Sequence, residues 1–351
     1  MYRVASGLAH DGHEVRYICS RHPGMTAEDR ADGLQIIRFG NVFTTSPTFL
    51  LSRSKAALRW SDAIIEEVIG GLRVPYLSGW FADMPRLCFW YQRNQLIFDA
   101  QYGGRLGLVL SLFESAVAKL YRNAIILTLS EASKRDLLEL GLRADRIRVC
   151  RPGIDKDLVR RATVPAGDRD PMLRVIGKFR RYKRLEVAIL ILRRLHDLGI
   201  IDASLVIAGR REDERYHHEL VDLAKSLGVA PHVRLEFDIT EERKAELLCR
   251  ARILLITSPL EGFGMTAIEA NLFGVPVIAT TGVPSDTVLD GFTGYRLPSG
   301  DIDAMAGHAA RLLSNDKAWQ SLSENAAAFA GNYTWDSTLD AVRSALQELG
   351  F

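Results

Sequence analysis

Cysteine is scarce in this sequence, and the few cysteines present are not grouped. The 351 residues contain four cysteines, and none of them lies in a C-x-x-C pattern. Disulfide-stabilised domains and zinc ribbons both need grouped or closely spaced cysteines. The sequence therefore argues against both classes and favours a reducing compartment.

Long apolar runs are also missing. A membrane-spanning helix needs about 18 uncharged apolar residues, but the most apolar stretch, 106–129, is interrupted by Glu114, Lys119 and Arg122. His10 and Asp11 interrupt the N-terminal segment in the same way, which argues against a signal peptide. We therefore expect a soluble, cytoplasmic protein.

An excess of charge of one sign is absent as well. The 45 Lys and Arg residues nearly balance the 43 Asp and Glu residues, so the formal net charge is +2. A protein that binds nucleic acid usually carries a larger basic excess, and nucleic acid is not an expected partner. Hydrophobic residues make up 47% of the chain, enough for a full globular core. The length suggests two domains of about 150 residues each.

Short strands alternate regularly with helices in the C-terminal half. The strands are predicted at Leu173–Ile176, Ala203–Ala208, Val233–Phe237, Ile253–Thr257 and Val275–Ala279. The helices are predicted at 184–198, 213–227, 240–250 and 264–273. Such alternation is typical of βαβ units in a parallel sheet with helices on both faces. We expect a doubly wound, Rossmann-like α/β domain.

The N-terminal half alternates less regularly. Strands are predicted at Glu14–Cys19, Leu34–Phe39, Leu87–Trp90 and Ala124–Leu129, and helices at Arg105–Tyr121 and Glu131–Leu140. Residues 40–104 give no dependable assignment. The polar stretch 162–171 has the composition of a hinge linker. We therefore place one domain at 1–163 and a second at 164–334, with a cleft between the carboxyl ends of their strands, where open α/β sheets bind ligands.

The segment EGFGMTAIEA, residues 261–270, follows a predicted buried strand and leads into a helix. Its glycines allow the backbone to approach a ligand closely, and the start of the helix offers N–H groups to an anion. The carboxylates of Glu261 and Glu269 would repel a phosphate, but they can accept hydrogen bonds from sugar hydroxyls. The structural alternative is an ordinary turn whose acidic residues complement the helix dipole.

A cationic loop follows the first predicted strand of the C-terminal half. Residues 178–184, KFRRYKR, contain five cations at a strand-to-helix junction. Such a loop can hold a pyrophosphate and stabilise the charge that grows as this group departs. The alternative is a solvated basic loop.

These motifs, in this order, resemble the retaining glycosyltransferases of family 4, also called glycosyltransferase group 1. Seven residues separate Glu261 from Glu269, and the segments that complete the pattern are PGID at 152–155, GVPVIA at 274–279, DGFTG at 290–294 and PSGD at 298–301. The resemblance implies the α/β GT-B fold, in which two doubly wound Rossmann-like domains face each other across a cleft. It also implies that the C-terminal helix, 335–351, packs back on the first domain.

The resemblance further implies that particular residues bind a nucleotide-sugar donor. Glu269 would bind the ribose hydroxyls, Glu261 would hold the transferred sugar, and Lys183 would contact the diphosphate. Gly177 would let the loop pass close to this diphosphate. The other implied donor-binding residues are Gly262, Phe263, Gly264, Met265 and Thr266 beside the sugar phosphate, Arg180 in the loop, and Phe237 and Ile239 beside the nucleobase.

The sequence departs from the family pattern in three places. Lys178 stands where the family usually has Arg, and Lys lacks the bidentate fork of Arg, although Arg180 is a possible substitute. Tyr91 takes the place of the family's His in the first domain, and Tyr does not become cationic. The usual first strand and glycine turn are expected to be missing, which would open the middle of the sheet.

The implied function is transfer of a sugar from a nucleotide-diphosphate donor to a hydroxyl of a sugar, polysaccharide or lipid-linked acceptor. Retention of the anomeric configuration and a place in polysaccharide or glycolipid synthesis are also implied. Glu261, Lys183, Lys178 and Tyr91 would be catalytic, with no metal or other cofactor. Two alternatives stay open: a catalytically impaired protein that binds a nucleotide sugar or carbohydrate, and a sugar-nucleotide epimerase.

Several other signals favour ordinary structural roles. Asp301-Ile302-Asp303 and residues 168–170 match the D-x-D pattern of metal-dependent transferases, but Asp301 precedes a helix as an N-cap would, and 168–170 lies in the linker. His217 and His218 lie on a polar helix without further ligands nearby. The basic segment Leu51–Val68 is interpreted as a surface helix, with peripheral contact to the inner face of a membrane as the alternative.

Overall fold

The computed structural model describes residues 1–40, 60–68, 84–93, 95, 98, 103–161 and 172–351. The chain divides into two compact units. The N-terminal unit comprises Met1–Gly153 and Thr334–Phe351, and the C-terminal unit comprises Ile154–Tyr333. The predicted boundary between 163 and 164 and the segment 168–170 lie outside the described residues.

The described strands of the N-terminal unit form two sheets. A three-stranded sheet has the order β1-β3-β2, with β2 antiparallel to β3, and a four-stranded parallel sheet has the order β4-β5-β6-β7. The strands are β1 (Arg16–Ser20), β2 (Glu28–Ala31), β3 (Leu34–Phe39), β4 (Ile64–Glu67), β5 (Arg86–Phe89), β6 (Ile125–Thr128) and β7 (Ile147–Val149). Among the described strands these two sheets are separate.

Helices from both ends of the chain pack together in the N-terminal unit. The described helices are α1 (Tyr2–His10), α2 (Gly104–Ala118), α3 (Glu131–Glu139) and, at the C-terminal end, α11 (Trp335–Glu348). Val4 and Leu8 of α1 share a core cluster with Val342 of α11 and with residues of β5 and β6. Arg343 of α11 donates two hydrogen bonds of 2.8 Å to the carboxylate of Asp11. Helix α11 therefore belongs to the N-terminal unit.

The predicted helix over Leu51–Val68 is wrong at its C-terminal end. Residues 64–67 form strand β4, which pairs with β5, and the Val68 N–H donates to the Phe89 carbonyl oxygen at 2.8 Å. The isoleucines at 64 and 65 favour a strand because β-branched side chains pack well on a pleated surface. Residues 51–59 of the predicted helix lie outside the described residues.

The C-terminal unit contains a six-stranded parallel sheet of order β10-β9-β8-β11-β12-β13. The strands are β8 (Met172–Ile176), β9 (Ser204–Gly209), β10 (Val233–Phe237), β11 (Ile253–Ile256), β12 (Val277–Thr280) and β13 (Gly294–Leu297). The helices are α4 (Asp157–Arg161), α5 (Glu186–Asp197), α6 (Glu214–Ser226), α7 (Glu241–Cys249), α8 (Met265–Leu272), α9 (Ile302–Ser314) and α10 (Asp316–Ala330). The alternation predicted for this half is confirmed, with small shifts at the ends, whereas β13 was not predicted.

Continuous apolar runs form the core of this sheet. Leu173, Ile207, Leu255 and Ile278, from four neighbouring strands, are at most 1% exposed. Strands buried on both faces need such runs because helices cover each side. Asp301 accepts a 3.0 Å hydrogen bond from the Ala304 N–H, which confirms it as the N-cap of α9. No helix in the described parts of the chain is both long enough and apolar enough to cross a membrane.

Candidate functional site

The strand order of the C-terminal unit locates a binding position. From β8 the chain proceeds outward to β9 and β10, then returns to the other side of β8 and continues through β11, β12 and β13. The order therefore reverses between β8 and β11. Open α/β sheets bind their ligands beyond the carboxyl ends of the strands at such a switch point. Lys183 follows β8 and Glu261 follows β11, so both belong to this position.

Lys183 and Glu261 meet in the structure. The Lys183 Nζ lies 2.5 Å from the Glu261 Oε1, and their side chains are 19% and 16% exposed. The Ser258 hydroxyl donates to the same carboxylate oxygen. The Thr257 hydroxyl donates to the Lys183 carbonyl oxygen at 2.8 Å, which ties the backbone of the cationic loop to the end of β11. A cation, a carboxylate and two hydroxyls therefore converge beyond two neighbouring strands.

The turn that carries Glu261 is held from the end of β12. The Thr280 hydroxyl donates to the Ser258 carbonyl oxygen at 2.5 Å, and the Glu261 N–H donates to the Gly282 carbonyl oxygen at 3.0 Å. A Cβ atom at Gly282 would lie only 1.9 Å from the Pro259 carbonyl oxygen. The sequence prediction missed Ser258, Thr280 and Gly282. The polar Thr-Thr-Gly triplet directly after the predicted strand was the signal that marked the last two.

The start of α8 presents its backbone without a side-chain cap. Gly264 is the N-cap residue, and its φ of 89° lies in the left-handed region, which glycine adopts without steric cost. The N–H groups of Met265 and Thr266, in the first turn, have no intrahelical acceptor, and such groups bind anions. The Phe263 ring is buried near Tyr333, with ring centroids 5.9 Å apart, so this residue offers the site its backbone. Gly262 lies beside it in the turn.

Glu269 is mostly buried and paired with a lysine that sequence analysis missed. The Lys244 Nζ lies 2.9 Å from the Glu269 Oε1 and 2.8 Å from the Glu241 Oε2. Burial raises the pKa of the Glu269 carboxyl, and the Lys244 ammonium partly offsets this rise. Burial lowers the pKa of Lys244, but the two carboxylates more than compensate, so this pKa is raised. The Lys244 ammonium therefore offsets part of the cost of burying the Glu269 carboxylate.

Replacing Lys244 by Met is expected to destabilise the fold by about 2 kcal/mol at about pH 8 and by less at about pH 5. The folded chain already favours the protonated Glu269 because its pKa is raised, so stability falls as pH rises above the ordinary Glu pKa. Removal of the Lys244 ammonium enlarges this loss of stability with rising pH, because the ammonium no longer offsets the burial of Glu269. Thermal unfolding at both pH values measures the effect.

Two further variants complete this test. Glu241→Gln removes the exposed partner of Lys244 and should change the unfolding temperature little. Lys244→Met combined with Glu269→Gln should regain stability at high pH, because no buried charge is then left uncompensated. An equal loss of stability at both pH values in Lys244→Met would argue against the electrostatic explanation.

The remaining cations of the loop have other acidic partners. Lys178 and Arg180 both pair with Glu212, and the Lys178 Nζ lies 3.4 Å from its carboxylate. The other two contacts are Arg181 with Glu219 at 2.6 Å and Arg184 with Glu186 at 3.3 Å. The structure thus brings Lys183 to Glu261, whereas Lys178 and Arg180 are engaged at the neighbouring loop.

Gly177 lies at the end of β8 beside open space. A Cβ atom at this position would meet nothing within 4 Å. The Gly177 N–H donates to the Ala208 carbonyl oxygen at 2.9 Å. A Cβ atom at Gly209 would lie 1.8 Å from the Gly177 carbonyl oxygen, so the two backbones pack directly against each other. The backbone at Gly177 is therefore fixed on one side and accessible on the other.

The side chains at the end of β10 are engaged in packing. The Phe237 ring lies 4.6 Å from the Phe179 ring and 4.7 Å from the His217 ring, measured between centroids. Ile239 packs beside Val206 in a small apolar cluster. The side chains of Phe237 and Ile239 are therefore occupied by packing within the protein, and their contact with a nucleobase stays a prediction.

Tyr91 lies in the N-terminal unit, two residues after β5. Its hydroxyl donates to the Glu67 Oε1 at 2.5 Å, and Glu67 is the last residue of the neighbouring strand β4. Burial, together with the adjacent Glu67 carboxylate, raises the pKa of Tyr91 well above its ordinary value. Tyr91 is therefore a neutral residue whose hydroxyl donates its proton in a hydrogen bond to the Glu67 carboxylate.

One group of possible metal ligands stands out in the described parts of the chain. Ligand atoms of Glu214, His217 and His218 lie within 4.8 Å of one another. The carboxylate of Glu214, however, is paired with Arg211 at 3.2 Å, and Arg215 lies in the same helical turn. The Arg211 guanidinium beside this carboxylate disfavours a divalent cation there.

The fold and site define a doubly wound α/β protein whose switch point combines a cation, a carboxylate and a helix N-terminus. The family model described as Glycosyl transferases group 1 matches residues 159–329, and the model described as Glycosyltransferase Family 4 matches residues 1–158. The chain therefore belongs to the group 1 glycosyltransferases, of family 4.

Relatives and solved structures agree with this assignment. A D-inositol 3-phosphate glycosyltransferase from Nocardiopsis dassonvillei is 30% identical over 229 residues, which cover 58% of this chain and 52% of the relative. An α-1,3/1,6-mannosyltransferase from Neurospora crassa is 31% identical over 163 residues, covering 40% and 35%. The chain thus matches about half, or less, of the length of these curated relatives.

Solved structures confirm the GT-B fold predicted from the sequence. A sucrose-phosphate synthase from Thermosynechococcus elongatus superposes with a TM-score of 0.78 at 19% identity, covering 99% of this chain and 92% of that one. Anabaena HepE in complex with UDP-glucose superposes with a TM-score of 0.70 at 15% identity, covering 95% and 100%. At such identities the likeness concerns the fold alone.

Proposed function

We propose that this protein is a retaining glycosyltransferase that transfers a sugar from a nucleotide-diphosphate donor to a hydroxyl acceptor. The observation that carries the proposal is the meeting of Lys183 and Glu261, 2.5 Å apart, beyond the adjacent strands β8 and β11. A donor of this class carries a diphosphate, which needs positive charge, next to a sugar, which offers hydroxyls. The site provides a partner for each.

Lys183 would stabilise the departing diphosphate. Negative charge accumulates on the leaving group as the glycosidic bond breaks, and a fixed cation in a partly buried site lowers the barrier to this step. Lys183 is held in place because its carbonyl oxygen accepts from Thr257. The first-turn N–H groups of α8 would add to this stabilisation. We therefore assign leaving-group stabilisation to these groups rather than to a metal ion.

Glu261 and Glu269 would bind the two sugars of the donor. A carboxylate can accept hydrogen bonds from two neighbouring hydroxyls. The donor would take the place of Lys183 as one partner of Glu261, so that the lysine turns to the phosphates. Glu269, paired with Lys244, would receive the ribose hydroxyls.

Retention requires that the acceptor oxygen attack from the face that the diphosphate leaves. We assign no covalent nucleophile. The proposed path has the departing diphosphate oxygen take the proton of the acceptor hydroxyl while the new glycosidic bond forms. The acceptor class proposed from the sequence is a sugar, a polysaccharide or a lipid-linked sugar.

A thermal-shift panel of UDP, GDP and ADP with their sugar derivatives tests donor binding. A ligand present at a hundred times its Kd should stabilise the fold by about 2.7 kcal/mol. We expect one nucleotide series to shift the unfolding temperature, with UDP-glucose, the ligand of the Anabaena protein, as the first compound. Absence of any shift would contradict the proposal. Tight binding without transfer to any acceptor would favour the alternative of an impaired binding protein.

Gly177→Ala is expected to weaken donor binding by about tenfold, the effect of one misplaced methyl group at a ligand. The fold should remain intact, because the new Cβ atom meets nothing within 4 Å in the protein. The thermal-shift titration and the unfolding temperature without ligand measure the two effects separately. Gly307→Ala in α9, where a Cβ atom also meets nothing, is the matched control and should bind donor normally. If Gly177→Ala bound the donor with normal affinity, the proposal that the diphosphate lies at the end of β8 would be wrong.

A further inference from the structure

Helix α2 has an outward face made of apolar side chains. The exposed residues between positions 106 and 116 are Leu106, Leu108, Val109, Leu112, Phe113 and Ala116. The five larger side chains are between 46% and 61% exposed. The inward face, in contrast, contains the polar residues Ser111 and Glu114, which are 8% and 7% exposed. The inward face also contains Gly107, Leu110, Val117 and Ala118, so the helix is apolar over most of its surface, including the outward face.

The exposed apolar residues form one surface rather than isolated positions. Residues spaced by three or four positions lie on the same face of a helix, so Leu106, Val109 and Phe113 form one row, and Leu108 and Leu112 form the next. Contiguous apolar surface of this kind marks a site that is covered by a protein partner or by a membrane.

Cations lie at both ends of this surface. Arg105 is exposed at the start of α2, and Lys119 and Arg122 are exposed just beyond its end. Between residues 103 and 123 the only acidic residue is Glu114, which is buried. The accessible surface of this segment is thus apolar in the middle and positively charged at its ends.

We propose that the outward face of α2 docks on the surface of a lipid bilayer that contains anionic phospholipids. Apolar side chains in the centre and basic side chains at the margins match an interface of acyl chains and negative headgroups. The helix has 15 residues and is about 22 Å long, shorter than the hydrocarbon core, so it would lie along the interface rather than cross it.

The same charges disfavour a second copy of the chain as the partner. If two α2 helices packed antiparallel about a two-fold axis, Arg105 of one copy would lie near Lys119 and Arg122 of the other. Like charges at such distances repel. A bilayer with anionic headgroups instead offers a counter-charge at both ends of the helix.

Co-sedimentation of the purified full chain with vesicles tests this proposal without any sugar nucleotide, so its outcome does not depend on the proposed function. We expect binding to vesicles of phosphatidylcholine with phosphatidylglycerol, weaker binding at high salt, and little binding to phosphatidylcholine alone. The double variant Leu112→Ser/Phe113→Ser should bind about tenfold more weakly. Each of Arg105→Gln and Lys119→Gln should weaken binding about fivefold.

A matched control comes from the C-terminal unit. Leu198 and Ile201 are 48% and 64% exposed, so Leu198→Ser/Ile201→Ser removes a similar amount of exposed apolar surface. This variant should bind vesicles like the parent chain. All variants should keep the parent unfolding temperature, because the substituted side chains are exposed.

Three outcomes would overturn the proposal. One is failure of the parent chain to bind anionic vesicles, and another is equal binding by the α2 variants and the parent. The third is a concentration-dependent dimer, seen by sedimentation equilibrium, that Leu112→Ser/Phe113→Ser dissociates. This last outcome would assign the face to a second copy.

Discussion

Replacing Glu261 by Gln is expected to lower kcat for sugar transfer by about a hundredfold or more, the usual cost of losing a preorganised polar group at a reacting centre. Gln keeps the size of the side chain but loses its negative charge and one of its acceptor oxygens. Lys183 then has no carboxylate beside it before the donor binds. Lys183→Met should reduce kcat by a similar factor, because the leaving diphosphate loses its cation.

The double variant shows whether the two residues act as a unit. Side chains in direct contact have non-additive effects, so Lys183→Met combined with Glu261→Gln should be little slower than either single variant. Initial rates of transfer and of donor hydrolysis, each as a function of donor concentration, separate kcat from KM. An ion pair on the surface of the same unit, Arg194 with Asp303 at 2.7 Å, provides the control.

Arg194→Gln should leave both kinetic constants unchanged, since exposed ion pairs contribute little. Transfer by Glu261→Gln and Lys183→Met at the parent rate would contradict the proposed roles. Unchanged kcat with a raised KM would mean that the pair binds the ground state and the transition state equally and does not accelerate the chemical step. Normal vesicle binding by these variants would show that membrane docking by α2 does not depend on the Lys183–Glu261 pair.

The sequence predicted the C-terminal unit well for physical reasons. Its central strands are buried on both faces and therefore appear as continuous apolar runs between helices. Glu261 and Lys183 both follow such strands, so their convergence at one edge of the sheet was predictable. Strand β13, Gly294–Leu297, was not predicted. It begins with a glycine and contains an arginine, so it does not appear as a continuous apolar run.

What the sequence did not show depends on contacts between distant residues. Lys244 lies on a different helix from Glu269, so no local pattern connects it to the site. Gly282 lies in the loop after another strand, and the Thr-Thr-Gly triplet marks that loop without showing its contact with Glu261. Periodicity predicted α2 as a helix but did not reveal which of its faces is buried. In the N-terminal unit, strand β4 was missed because the basic residues that precede it suggested a surface helix.

Gly282→Ala is expected to cost about 2–4 kcal/mol of stability and to lower kcat about a hundredfold. The new Cβ atom would lie 1.9 Å from the Pro259 carbonyl oxygen and 2.9 Å from the Leu260 nitrogen. Both are backbone atoms that cannot rotate away, so the turn must move by about 1 Å. This movement would strain or break the hydrogen bond from the Glu261 N–H to the Gly282 carbonyl oxygen and displace the carboxylate. Thermal unfolding and initial rates of transfer measure the two effects.

A milder variant keeps this test informative even if Gly282→Ala does not fold. Ser258→Ala removes the hydroxyl that donates to the Glu261 carboxylate but leaves the turn backbone in place. It should lower kcat about tenfold with little loss of stability, because it frees the carboxylate without moving the chain. Gly307→Ala should be as active as the parent and slightly more stable, since alanine favours the interior of α9. If Gly282→Ala and Ser258→Ala both transferred sugar at the parent rate, catalysis would not depend on the exact position of the Glu261 carboxylate. This result would contradict the role proposed for Glu261.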